Sequence, residues 1–308
     1  MKRTPIAGTK MGVLRFLKGG AIAAVALPCA LCAGCSSNAG EEVGVAREAA
    51  LNPNALNPNA LNPNALNPNA LNPNALNPNA LNPNALSPEA MDAIEDPGEA
   101  GALSRELLRY TVGCALSSNQ SFDFSWTDAD SVVHMESYPG LLGLAPYWAT
   151  QALDLPGQQW VSSCLASRVN AEGVSVMLSS RGAHTALATT TAERSTYQTR
   201  EGVFFGNLFT TSPRVYACYD PLSVLPSQMA RRVCTEPELL DLDLGVLSTG
   251  YDCGPIEVVG PCYGVLGLAL GVCTQESLPD RYLYHCTPPG GGGTVPSITT
   301  FLAGSIPW

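Results

Sequence analysis

The sequence predicts an α+β fold: a single disulfide-stabilised domain after a disordered Pro/Asn-rich repeat stalk. Three observations predict it. Eight cysteines, an even number, lie between Cys114 and Cys286 in a chain that begins with an export-type segment. Stretches with helical period and stretches with strand alternation follow one another along residues 101–290. Ahead of them the unit LNPNA is copied seven times without an error from Leu51 to Ala85.

Residues 1–35 read as a lipoprotein-type signal peptide. Lys2, Arg3, Lys10, Arg15 and Lys18 form a basic stretch, an apolar run follows from Gly19 to Leu31, and CAGCSSN closes it. AGC before serine resembles the lipobox of bacterial lipoproteins, which implies that Cys35 is acylated and becomes the new N-terminus. Cys32 stands where that box usually has leucine, and secretory cleavage after Ala39 is the competing reading. The C-x-x-C-x-x-C spacing of Cys29, Cys32 and Cys35 carries no metal reading inside a signal segment.

Residues 36–100 read as the low-complexity stalk. Proline at every fifth position excludes a continuous helix, and leucine at period five would alternate between the faces of a strand. Asn-Pro-Asn-Ala suits a type I turn, so the expectation is a chain of weak local turns. A pentapeptide-repeat coil is the rival, but 35 residues would close fewer than two four-sided turns of it. At the polyproline rise such a spacer reaches about 110 Å, and as a flexible coil about 35 Å. EAMDAIEDPGEAG is then an acidic boundary.

The cysteine-rich globular domain is expected over residues 101–290. LSRELLRYTVGCAL reads as its first helix, with Ser104 as N-cap. SFDFSW and SVVHMES read as a hairpin turning at TDAD, with Phe122, Phe124 and Trp126 on one face. QQWVSSCLASRVNAEG is the clearest helix, its Val161, Cys164, Leu165, Arg168 and Val169 at helical spacing. VSVML and GVFF are short strands. Eight cysteines allow 105 connectivities; Cys218, Cys234, Cys253, Cys262, Cys273 and Cys286 crowd the later half, a division that suggests, as a hypothesis, Cys114 with Cys164 across two packed helices. Beyond the PPGGGG break, residues 291–308 are expected as a C-terminal tail, docked as an edge strand or disordered.

The charge excludes whole classes. Formal net charge is -10, and without residues 1–35 the chain keeps 11 arginines, no lysine and 26 acidic residues. A P-loop lysine, a Schiff base and a Ser-Lys pair are therefore absent, and nucleic acid is not an expected partner. No cofactor is expected. Nor is a metal site: none of the eight cysteines forms a C-x-x-C, and His134, His184 and His285 stand in no H-E-x-x-H. No G-x-S-x-G elbow occurs.

LLRYTVGCAL, WVSSCLASRVNAEGV and EGVFFGNLF, behind an LNPNA spacer and a lipoprotein-like signal, resemble a group of uncharacterised cysteine-rich lipoproteins of Gram-negative bacteria. The likeness covers the stalk and roughly residues 103 to 286. It implies location and architecture, with no activity and no functional residue to carry over.

Three patterns raise chemistry. Gln158, Cys164, His184 and Asn207 follow the residue order of papain-like proteases, in which histidine takes the thiol proton and an amide orients the histidine. The Gly-Ser-Cys-Trp context is missing, and a bridged or buried Cys164 is the stronger reading. Asp128, Asp130 and Glu136 flank the hairpin turn, and Asp241 and Asp243 alternate in LDLDLG; paired carboxylates could serve a glycosidase, while solvated turns and a polar strand face explain them as well. Phe122, Phe124 and Trp126 could form a stacking platform or simply core. The expected function is an exported, lipid-anchored envelope protein of the outer membrane displaying a recognition or structural domain, bound to the membrane through its lipid, with an envelope glycan or protein as ligand. A secreted hydrolase, through Cys164 and His184 or through carboxylates, is the alternative.

Overall fold

The computed structural model describes residues 57–58, 80–81, 83–171, 176–234, 253–264, 271–305 and 307. The signal segment with Cys35, most of the LNPNA repeat, and Asp241 and Asp243 lie outside the described residues. The fold is mixed α+β. Its centre is a six-stranded sheet in the order β1-β4-β10-β5-β6-β7, made of β1 (Asn57–Pro58), β4 (Met177–Arg181), β5 (Thr199–Asn207), β6 (Arg214–Tyr219), β7 (Ile256–Pro261) and β10 (Ser297–Leu302). Every pairing is antiparallel except β6 with β7.

Folding starts before the expected boundary at residue 101. Leu86-Ser87-Pro88-Glu89-Ala90 is an eighth copy of the repeat unit in which serine and glutamate replace the asparagines. That exchange makes a helix start. Ser87 Oγ accepts from the Ala90 amide at 3.2 Å, Pro88 needs no donor in the first turn, and Glu89 faces the positive end of α1 (Pro88–Glu95). Leu81, Leu86, Ala90 and Ile94 all enter the core, and the Leu81 amide donates to the Trp148 carbonyl at 2.7 Å. Parts of the segment expected as stalk, Asn57–Pro58 of β1 together with Leu81, Leu86 and α1, therefore belong to the described fold.

The first long helix, α2 (Glu99–Ala115), begins at Gly98 and not at Ser104, whose hydroxyl instead donates to the Ala100 carbonyl at 2.8 Å within the helix. The tight α1–α2 corner sets this start, since a Cβ on Gly101 would lie 1.8 Å from the Asp96 carbonyl oxygen. Arg105 crosses the corner and donates to the carbonyls of Ile94 and Asp96 at 2.9 and 2.7 Å. The hairpin follows as β2 (Ser121–Thr127) and β3 (Val133–Pro139), with Phe122 and Phe124 buried.

Helix α3 (Leu155–Arg168) is capped by Asp154, which accepts from the Gly157 amide at 2.9 Å. It is buried along every side from Val161 onward, rather than along one stripe, because α2 packs on it from one direction and β5 and β10 from the other. Its inward serines pair with backbone: Ser162 Oγ accepts from the Leu208 amide at 2.8 Å, and Ser163 Oγ donates to the carbonyls of Gln159 and Pro296 at 2.8 and 3.1 Å.

Residues 291–308 are neither edge strand nor free tail. β10 lies between β4 and β5, and all six of its residues are buried. β5 is buried on both faces, with Phe204 in the core that holds α3 and Val203 and Phe205 in a second cluster. That cluster is closed by Cys218, Cys262, Cys273, Leu283 and Cys286, beneath the hairpin of β8 (Cys273–Glu276) and β9 (Leu283–Cys286). The strand contains Gly202 because a Cβ there would meet the Cys218 carbonyl oxygen at 2.2 Å.

The disulfides are Cys114–Cys164, Cys218–Cys262, Cys234–Cys253 and Cys273–Cys286. The first joins α2 to α3, as the two-and-six division predicts. The six later cysteines pair among themselves.

Charged side chains tie the layers together. Arg200 holds Asp220 at 2.6 Å and Glu276 at 2.7 Å, which fixes β5 to β8. Glu193, in the short helix α4 (Thr191–Thr196), is 3 % exposed and accepts from Ser179 Oγ at 2.8 Å. Burial raises its pKa above the ordinary 4.5, against the opposing pull of the Ser179 bond, while Arg181 lowers and Asp280 raises it further. The folded state therefore holds the proton more tightly than the unfolded chain, so the Glu193 contribution is fully present below pH 4.5 and is lost as pH rises through the folded value. Urea unfolding between pH 4 and pH 8 should show that loss, and Glu193→Gln, which keeps an acceptor for Ser179, should flatten it. An unchanged slope in the variant would contradict this assignment.

Candidate functional site

The residues of the thiol-hydrolase reading do not assemble. Cys164 is fully buried and bonded to Cys114, so it has no thiol to ionise. His184 caps the 3-10 turn Thr185–Leu187, its Nδ1 accepting from the Ala186 amide at 3.1 Å, and packs edge-on against Trp160. Burial lowers its pKa, partly opposed by a bond to the Leu144 backbone. Asn207 meets Gln158 instead of His184: its amide nitrogen donates to Gln158 Oε1 at 3.1 Å and its carbonyl accepts from the Phe209 amide at 2.8 Å. The pair clamps the end of β5 to the start of α3.

Of the hairpin carboxylates, Asp128 is occupied by the turn. Asp128 Oδ1 accepts from the amides of Asp130 and Val132 at 2.9 and 2.8 Å, and Oδ2 meets His134 Nε2 at 2.8 Å. The His134 bond, followed by that of Val132, holds the Asp128 carboxyl below its ordinary pKa. Glu136 accepts from Trp126 Nε1 at 3.2 Å. Arg105 sits 3.7 Å from the Trp126 ring centroid and His134 stacks at 4.4 Å, so between them they cover both faces of the indole. Phe122 and Phe124 are buried, so of the two readings of this face the core one describes them. His285 is exposed beside the Cys273–Cys286 bridge. Among the described residues no group of three His, Cys, Asp or Glu side chains is arranged to hold a metal ion.

What remains is a cleft. Arg109, Tyr110, Gly113 and Cys114 present one face of α2 to it, Pro139, Gly140 and Leu141 close the opposite side, and Arg168 reaches it from the last turn of α3. Its volume is about 430 Å³, within the size of small-molecule sites. Helical spacing explains the lining, since Arg109 with Gly113 and Tyr110 with Cys114 are each four residues apart. The Cys114–Cys164 bridge then fixes α2 against α3, which brings Arg168 to the same wall. Arg168 is 1 % exposed and donates to Ser180 Oγ at 2.9 Å. Burial, then the neighbouring charge of Arg232, pulls its pKa down to about 9, with Tyr110 opposing.

A wider groove of about 750 Å³ runs past Tyr219, Ala230 and Cys253–Val258. Its charged side chains, Arg214 and Glu257, are exposed and pair with each other at 3.2 Å.

The sequence held one signal for the cleft. An arginine in the apolar spacing of α3, four residues after Cys164, has to reach polar surroundings or a cavity. Arg109, Tyr110 and Gly113 carried none. Comparison with known protein families, with characterised proteins and with solved structures finds no match for this chain.

Proposed function

We propose that this chain is an exported, lipid-anchored envelope protein whose α+β domain recognises a ligand rather than hydrolysing one through a thiol. The observation that carries the reading is the pairing of all eight cysteines of the domain, Cys164 included. Four disulfides fit a domain that matures in an oxidising compartment, outside the cytoplasm. The bridge also removes the one nucleophile that the sequence offered with a histidine and an amide in order. The lipobox-like AGC supports an acyl anchor on Cys35, and the LNPNA units support a spacer between that anchor and the domain.

Intact mass of the full chain, extracted from envelope membranes and alkylated in denaturant without reductant, tests both halves. The expected spectrum shows a chain beginning at acylated Cys35 and no alkyl label. A chain beginning after Ala39 and lacking lipid removes the anchor. Label on Cys164 removes the recognition reading and returns the thiol to consideration.

A further inference from the structure

We propose that the outer edge of β3 pairs with the same edge of a second copy of this chain, joining two hairpins into one antiparallel sheet about a two-fold axis at Met135. The inference goes beyond the recognition reading and does not depend on it.

The register of the hairpin shows which backbone groups face outward. At one end of the β2–β3 ladder the Gly140 amide donates to the Gln120 carbonyl at 2.8 Å, and at the other the Asp128 amide donates to the Val132 carbonyl at 3.0 Å. Bonded pairs alternate between those ends, so Trp126 with His134, Phe124 with Glu136 and Phe122 with Tyr138 exchange backbone bonds. Val133, Met135 and Ser137 stand at the positions between, and their N–H and C=O groups point away from β2. Among the described residues no further strand pairs with β3. The side chains at these positions also face solvent: Val133 is 62 % exposed, Met135 is 81 % exposed, and Ser137 is exposed. An edge of this kind, with apolar side chains and no lysine or bulge, is a template for another strand. The outer edge of β2 carries Ser121, Asp123, Ser125 and Thr127, all polar and one charged, which makes β3 the edge that pairs.

The sequence of β3 complements itself in one register. An axis at Met135 sets Met135 against Met135 of the second copy, Val133 against Ser137 of the second copy, and His134 against Glu136 of the second copy. Every outward N–H and C=O from Val133 to Ser137 then meets a partner, and each imidazole lies across from a carboxylate. His134 and Glu136 already hold Asp128 and Trp126 within the hairpin, so the cross-copy pairs select the register more than they add affinity. Moving the axis one residue toward the turn sets His134 against itself and Ser137 against Ser131, whose φ of 64° takes it out of the strand. Moving it the other way sets Glu136 against itself and Val133 against Pro139, which has no N–H to give. The interface is small, which makes the dimer a weak, reversible one.

Sedimentation velocity of the mature full-length chain in detergent, from about 1 to about 100 μM, tests the pairing. The parent should shift reversibly from monomer to dimer across that range. Met135→Lys places two ammonium groups face to face at the axis and should weaken the dimer about tenfold or more. Its unfolding midpoint should remain that of the parent, because the side chain is already in solvent. Association through an acyl anchor would be the same in both proteins. Met135→Cys gives a second readout, since the two Cα atoms of a bonded antiparallel pair lie about 5.5 Å apart, within disulfide reach. With oxidised glutathione as oxidant, M135C should form a covalent dimer, and Ser125→Cys, exposed on the opposite strand, should not.

A parent that stays monomeric throughout, a dimer that Met135→Lys leaves intact, or cross-linking of S125C as fast as that of M135C overturns the proposal. None of these results touches the cysteine pairing that carries the recognition reading.

Discussion

A chain ended at Gly293 should not fold. The fifteen residues removed include β10, which pairs with β4 through Thr299, Thr300 and Phe301 and with β5 from Ser297 to Leu302. Its loss splits the six-stranded sheet between β4 and β5. Ile298, Phe301 and Leu302 are at most 1 % exposed, and burying three such side chains contributes on the order of 6 kcal/mol. That is comparable to the whole stability of an ordinary domain. Two charged groups would also be uncovered: Arg181, whose guanidinium lies 3.7 Å from the Phe301 ring centroid, and Glu201, which accepts from Thr300 Oγ1 at 2.7 Å. The four disulfides constrain the unfolded chain without replacing a central strand. We therefore expect no cooperative transition in urea and loss of near-ultraviolet circular dichroism. A truncated chain with a sharp transition near the parent's midpoint would refute the placement of β10.

The same strand shows where sequence reading stops. SITTFL alternates weakly, follows a glycine run and lies near the terminus, and those local features describe a peripheral segment. Its place in the sheet depends on partners about 100 and about 120 residues earlier, β5 and β4, and nothing local records that pairing. The Cys114–Cys164 bridge was legible as a hypothesis, because two cysteines stand on predicted helices while the other six crowd the later half. The hairpin was legible because its signals are contained within nineteen residues, from Ser121 to Pro139. The start of the domain was misread for a different reason. Leu86–Ala90 looks like one more repeat, and only Ser87 and Glu89 distinguish a helix cap from a turn. As for the cleft, its residues come from α2, α3 and the turn after β3. Arg168 was visible as an anomaly in an apolar stripe, but its neighbours were visible only once the disulfide had set the helices together.

Breaking the Glu201–Arg232 pair should cost more than any other charge substitution in the core. The carboxylate and the guanidinium meet at 2.6 Å with both side chains 0 % exposed, on β5 and on α5 (Pro226–Val233). Arg232 also donates to the Ser167 carbonyl at 2.7 Å, and Thr300 donates to Glu201, so α3, α5, β5 and β10 converge on one ion pair. Removing one partner of such a pair leaves a buried charge and costs about 3–5 kcal/mol. The two single variants are not equivalent. Arg232→Met strands a carboxylate that still accepts from Thr300. Glu201→Gln leaves Arg232 cationic close to Arg168, whose pKa Arg232 already lowers, and so exposes a repulsion between two buried guanidiniums. Glu201→Gln should therefore be the more destabilising, and the Glu201→Gln, Arg232→Met double variant should lose clearly less than the sum of the two. Equilibrium urea unfolding of the four proteins measures that coupling directly. Single-variant losses below about 1 kcal/mol, or simple additivity, would show that the pair is not the buried unit described.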